Sequence, residues 1–115
     1  MIRIRRVYEP PVAAEGPRLL VDRVWPRGLS RADAALAGWY RELAPSTPLR
    51  QWFGHDPVRF EAFRQRYQEE LRAQGPLVDD LLSQARAGDV VLVYAASDTQ
   101  HNNAVVLRDF LQGLL

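Results

Sequence analysis

Two histidines, a pair of asparagines and two arginines set in turns are the side chains of this sequence best suited to chemistry. His101 lies in Ser97-Asp98-Thr99-Gln100-His101-Asn102-Asn103. An imidazole titrates at about pH 6.5 when unperturbed, which suits it to move a proton, and Asp98 three residues earlier is placed to orient its ring. His55 follows a glycine in Trp52-Phe53-Gly54-His55-Asp56, a turn between helical segments that would hold it at a cleft. Arg23 and Arg27 bracket Val24-Trp25-Pro26. Held by the Pro26-Arg27-Gly28 turn, they would form a fork for phosphate or carboxylate. Asp22 needs a partner, because an unpaired buried charge costs roughly several kcal/mol. Tyr94, at the end of an apolar run, and Asn102 complete the set. Each cluster also has a structural explanation: an Asp22–Arg pair, Asp56 capping a helix that starts with Pro57, and Ser97 and Gln100 acting as a capping box.

Composition removes several other chemistries. The 115 residues contain no cysteine, which excludes disulfides, thiolate metal sites and a thiol nucleophile. All 15 basic residues are arginine, so a Schiff-base lysine and a P-loop lysine are excluded as well. Ser97, Asp98 and His101 are neighbours without the Gly-x-Ser-x-Gly elbow that a serine nucleophile needs. The spacing of the two histidines gives no metal motif, and nothing in the sequence names a cofactor. A net charge of +1, with 14 acids among the arginines, makes nucleic acid an unfavoured partner. No apolar run approaches the roughly 20 residues of a membrane span. The Met1-Ile2-Arg3 start lacks the core of a signal peptide, so the expected location is cytoplasmic.

The elements that must position these residues follow from pattern. The expected fold is a three-layer α/β domain over residues 1–115, with a small, mostly parallel central sheet flanked by helices. Val90 to Ala96 is apolar without alternation, as in a strand covered on both faces. Ile2-Arg3-Ile4-Arg5 alternates like an edge strand, and Arg18 to Trp25 reads as a second buried strand. Between them, the Tyr8–Pro17 loop is tight for a parallel crossover and favours an antiparallel return. Ser30 should cap a helix from Arg31 to Ala37, and Trp39 to Leu43 reads as a third short strand. Thr47-Pro48 and Asp56-Pro57 are helix starts. The second leads into a helix with Phe60, Phe63, Tyr67 and Leu71 on one stripe, and Gly75-Pro76 opens another with Leu77, Val78, Leu81, Leu82 and Ala85 inward, ending at Gly88. A last helix starting at Ser97 would place His101, Asn102 and Asn103 in its first turn.

Several blocks together carry a resemblance: Asp22-Arg23-Val24-Trp25-Pro26-Arg27-Gly28, Ala44-Pro45-Ser46-Thr47, Trp52-Phe53-Gly54-His55-Asp56 and Tyr94-Ala95-Ala96, followed by His101-Asn102 and Ala104-Val105. In that order they resemble the YeaO-like branch of the domain-of-unknown-function family numbered four-eight-eight, over nearly the whole chain. The resemblance implies a compact α/β domain of bacterial and archaeal proteins and no particular activity. Wider members often carry a cysteine around the last strand and the following turn, where this sequence has Tyr94 and His101-Asn102-Asn103, so thiol chemistry does not carry over.

In open α/β sheets ligands bind beyond the carboxyl ends of the strands. The functional expectation is therefore a pocket where Arg23, Arg27, His55, Asp98, His101 and Asn102 converge, taking a small anionic ligand with or without acid–base turnover by His101. Two alternatives stand beside it. One is a non-enzymatic interaction module built on Trp25, Trp39, Trp52 and scattered arginines, which requires two or more indoles exposed in one patch. The other is nucleic-acid binding, which requires Arg3, Arg5, Arg6 and Arg18 to line one face with the acids turned away.

Overall fold

The computed structural model describes all of residues 1–115. Its centre is a four-stranded, all-parallel sheet in the order β1-β4-β2-β3, built from β1 (Ile2–Arg6), β2 (Arg18–Leu20), β3 (Gly38–Trp39) and β4 (Val90–Tyr94). Every residue of β4 is buried, as its unbroken apolar run requires, and it pairs with β1 through Ile2–Val90 to Arg6–Tyr94 and with β2 through Arg18–Val91 to Leu20–Val93. Because β4 lies between them, β1 and β2 never pair, which overturns the antiparallel return expected of the loop joining them. That loop is instead a parallel crossover without a full helix. It contains one 3₁₀ turn at Ala13–Glu15 and a glycine at φ +96°, Gly16, pressed so closely on the Asp89 backbone that a Cβ would lie 2.0 Å from its carbonyl oxygen.

The sheet is covered unequally. One face carries Ile2, Leu19, Val21, Val90, Leu92 and Tyr94 against four helices: α2 (Thr47–Phe53), α3 (Phe60–Arg72), α4 (Gly75–Ala87) and α5 (Asn103–Leu114). The expected stripe of α3 is buried there, Phe60, Phe63, Tyr67 and Leu71. The other face carries Leu20, Val91 and Val93 under Val7, Ala34, Trp25, Leu29 and Leu36, with only one four-residue helix, α1 (Arg31–Ala34). Its cap is Ser30, whose hydroxyl accepts the Asp33 N–H at 3.0 Å.

Several boundaries differ from the sequence expectation for identifiable reasons. β2 ends at Leu20 rather than Trp25. Val21 still donates to Val93 O, but Asp22 turns its carboxylate to bond other elements and the chain leaves the sheet. Helix α1 stops at Ala34 because Ala35 takes a left-handed conformation, φ +50°. The Trp39–Leu43 strand is reduced to the bridge at Gly38–Trp39 followed by a 3₁₀ turn, Arg41–Leu43. At α2 the capping oxygen belongs to Ser46, itself held by Glu70, and Thr47 is already helical. A 3₁₀ turn, Pro57–Arg59, precedes α3. The last helix does not start at Ser97: α5 begins at Asn103 with Asn102 as its cap, so His101 lies before the helix. No helix of the chain is long and apolar enough to cross a membrane.

Candidate functional site

The ends of β2 and β4 open onto one cleft of about 580 Å³, inside the usual range for small-molecule sites. Asp22 organises it. Its Oδ2 accepts the Ala95 N–H at 2.9 Å and its Oδ1 accepts Asn103 Nδ2 at 3.0 Å, while Asn103 Nδ2 also donates to Val21 O at 2.9 Å. One carboxylate thus ties the exits of β2 and β4 to the first residue of α5. Burial pushes its pKa up, and the bonds from Asn103 and Ala95, with the charges of Arg50 and His55, pull the other way.

One wall comes from the chain after β2. Trp25 donates its indole N–H to Leu29 O at 2.7 Å, Pro26 is buried, and Gly28, at φ +74°, turns the chain so that the exposed Arg27 lies at the rim. The Arg27 carbonyl accepts the Tyr8 hydroxyl at 2.9 Å, which fixes the backbone and leaves the guanidinium without a partner. The opposite wall is α2 and the turn after it. Phe53 stacks on Phe63 with ring centroids 4.3 Å apart, giving an apolar floor, and Arg50, one helical turn before Phe53, adds a second unpaired guanidinium. Gly54 and His55 are both left-handed, φ +54° and +58°. That is routine for glycine but costs a histidine about 1 kcal/mol or more, and it delivers the imidazole to the cleft.

The remaining two cationic groups are fixed rather than free. Arg6 donates to Ala96 O at 2.9 Å and Ala95 O at 3.2 Å, and Arg23 donates to Pro45 O and Ala44 O, both at 3.1 Å, with Glu42 at 3.6 Å. Bonds to carbonyls hold a guanidinium without neutralising it, so the charge of Arg6 persists in the cleft, and Arg23 is offset by a largely exposed acid. Four arginines therefore face one acid, Asp22, in a protein whose overall charge is only +1. The N–H groups of Arg23, Val24, Trp25, Ala96 and Ser97, all on cleft-lining residues, have no backbone acceptor within the protein. Consecutive free N–H groups are a further source of positive potential.

Of the residues expected at the site, Asp22, Arg23, Arg27, His55 and Asn102 line this cleft, and Tyr94, Asp98 and His101 do not. Tyr94 is buried in the sheet, where desolvation raises its pKa. Asp98 accepts the N–H groups of Gln100 and His101 at 2.9 and 3.0 Å, which hold its carboxyl below the usual carboxylate range, and its other oxygen lies 3.0 Å from His101 Nδ1. The His101 ring meets the edge of Phe60. The two asparagines have local duties: Asn102 Oδ1 caps the Val105 N–H at 3.0 Å, its Nδ2 donates to Asp98 O, and Asn103 serves Asp22. Sequence reasoning missed Arg6 and Arg50, and it singled out Asn103 beside Asn102 without placing it in the pocket. The signal for Arg50 was its place one turn before Phe53, in a block already singled out. For Arg6 it was the parallel register that carries the end of β1 to the same edge as Tyr94.

The conditions set by the two alternatives fare less well. Trp25 and Trp39 meet edge to face at 5.6 Å, but Trp25 is half-buried, both indoles donate to backbone carbonyls, and Trp39 alone is 36% exposed. Trp52 lies apart on α2, between Arg59 and Arg66. Arg3 and Arg5 are turned to Glu15, and the buried Arg18 donates to Val7 O, Glu9 O and Ala34 O, so the acids of that face are engaged rather than turned away.

A family model described as the inactive DUF488-N3 subclade matches residues 1–115. The chain is 40% identical over 113 residues to the uncharacterized protein YeaO of Escherichia coli K12, covering 98% of each chain. It is 38% identical over 112 residues to the uncharacterized protein Rv3073c of Mycobacterium tuberculosis H37Rv, covering 97% of this chain and 94% of that one. No solved structure matches.

Proposed function

The chain belongs to the DUF488-N3i family, the inactive DUF488-N3 subclade, and on that premise we propose that it binds a small organic anion in the cleft at the ends of β2 and β4 without turning it over. The observation that carries this reading is the imbalance of charge: four arginines and one aspartate line a cavity of ligand size, and two of the arginines, Arg27 and Arg50, have no partner. A guanidinium is a planar fork matched to phosphate and carboxylate oxygens. Arg6 and Arg23 provide a fixed field, and Arg27 and Arg50 are free to close on the ligand. His55 adds a donor at the rim. Against acid–base turnover stand the family's description as inactive and the position of the Asp98–His101 pair outside the cleft lining.

Thermal shift with inorganic phosphate, citrate and a panel of organic phosphates tests the proposal, because whatever binds only the folded state raises its melting temperature by mass action. At least one probe should give a saturable rise, and Arg50→Ala or Arg27→Ala should weaken it about tenfold, as expected for one charge-assisted bond. The same shift in wild type and in the double variant would overturn it.

A further inference from the structure

The cleft is not uniformly cationic, and its one acid is informative about what it would hold. Asp22 is pinned between β2, β4 and α5, and an ionised carboxylate has about four acceptor positions, of which Ala95 N–H and Asn103 Nδ2 fill two. The others belong to a residue that lines the cavity. A bare oxyanion filling this space has no proton to give them and meets a like charge. A ligand with a hydroxyl or amino group beside its anionic end satisfies both kinds of wall. The Phe53–Phe63 pair supplies apolar surface for a carbon skeleton between the two ends, and the volume exceeds what phosphate alone needs.

We propose that the cleft selects an organic anion bearing a hydroxyl or amino donor, with Asp22 accepting from the donor while Arg27 and Arg50 hold the anion. This rests on the anion-binding function proposed above and deepens it. Asp22 thereby acts as a specificity residue as well as the tie between the two strand ends. The geometry assigns it that role because it is the one acid among the lining residues and is held in place by protein donors before any ligand arrives.

Titration calorimetry with three matched probes separates the possibilities: propyl phosphate, which has no donor on its carbon chain, glycerol phosphate, which has hydroxyls there, and phosphoethanolamine, which has an amine. At least one donor-bearing probe should bind about tenfold more tightly than propyl phosphate, and which one does distinguishes hydroxyl from amino recognition. Asp22→Asn should abolish that preference, read as the ratio of the donor-bearing probe's affinity to that of propyl phosphate within the same variant, whatever the change in absolute affinity. Equal affinities for the three probes, or a preference that survives Asp22→Asn, would overturn the inference. Propyl phosphate binding that depends on Arg50 but shows no preference overturns this inference alone. Failure of every probe to bind overturns the anion-binding reading together with it. Should Asp22→Asn not fold, the wild-type ranking decides, since no preference there is sufficient to refute selection by Asp22.

Discussion

The two faces of the sheet are covered by different means. On the helical face, α3 and α5 lay Phe63, Tyr67, Leu107 and Leu111 against Leu19 and Leu92 in a continuous apolar core. The opposite face has one four-residue helix, and there a buried arginine does much of the covering. Arg18 is 5% exposed and its guanidinium donates to Val7 O at 2.8 Å, Ala34 O at 3.0 Å and Glu9 O at 3.2 Å, joining β2 to the crossover loop and to α1. Beside it, Glu15 is bonded by Arg5 and faced by Arg3. Apolar area is non-directional and tolerates repacking, whereas a fork of three bonds needs each acceptor in place. The cleft lies where the two coverings meet, with Phe53 and Phe63 from the first and Trp25 to Arg27 joined to the second.

Because the helical face carries the continuous apolar core, truncation there has the largest effect. Phe63→Ala removes a ring that is 1% exposed and stacked on Phe53, and should cost about 3–5 kcal/mol by urea unfolding, a large share of what a domain of this size possesses. Arg18→Met keeps most of the stem volume but leaves three carbonyls without their donor. It should cost about 2–3 kcal/mol, with faster hydrogen exchange in α1 than in β4. A loss below about 0.5 kcal/mol, the level of an ordinary surface change, would show that the thin face is held by its few apolar contacts instead.

What could be read from the sequence was whatever depends on one segment and its burial. The unbroken run of β4, the stripe of α3 and the Asp56-Pro57 start follow from local pattern and survive in the structure, where Asp56 accepts the Val58 N–H at 3.0 Å. What failed depends on partners far along the chain. Ser97-x-x-Gln100 satisfies a capping pattern, yet the Asp98 carboxylate takes the Gln100 and His101 N–H groups and the cap passes to Asn102, while Asn103 is drawn to Val21 and Asp22. The direction of β2 depended on β4, some seventy residues later, lying between it and β1. The cleft was legible in its Asp22-to-Arg27 wall and in His55, because strand exits and glycine turns mark sites. Arg6 and Arg50 become site residues only once strand order and helix placement are known.

The smallest effect concerns two carboxylates on either side of this contrast, and its sign is opposite for the two. Burial raises the folded pKa of Asp22, so the folded state holds that proton more tightly than the unfolded chain does, and stability falls as pH rises from about 3.9, the unfolded value, through the raised folded value. Arg5, then Arg3 and Arg18, hold the Glu15 carboxyl below its ordinary range. Its contribution is therefore complete above the unfolded value of about 4.3 and is lost as pH falls through the folded one. In urea unfolding across about pH 3 to 7, the stability of wild type relative to Asp22→Asn should decline with rising pH and then level off, while that relative to Glu15→Gln should climb. Parallel curves would mean that the burial of the cleft carboxylate is compensated as fully as that of the one in the arginine network.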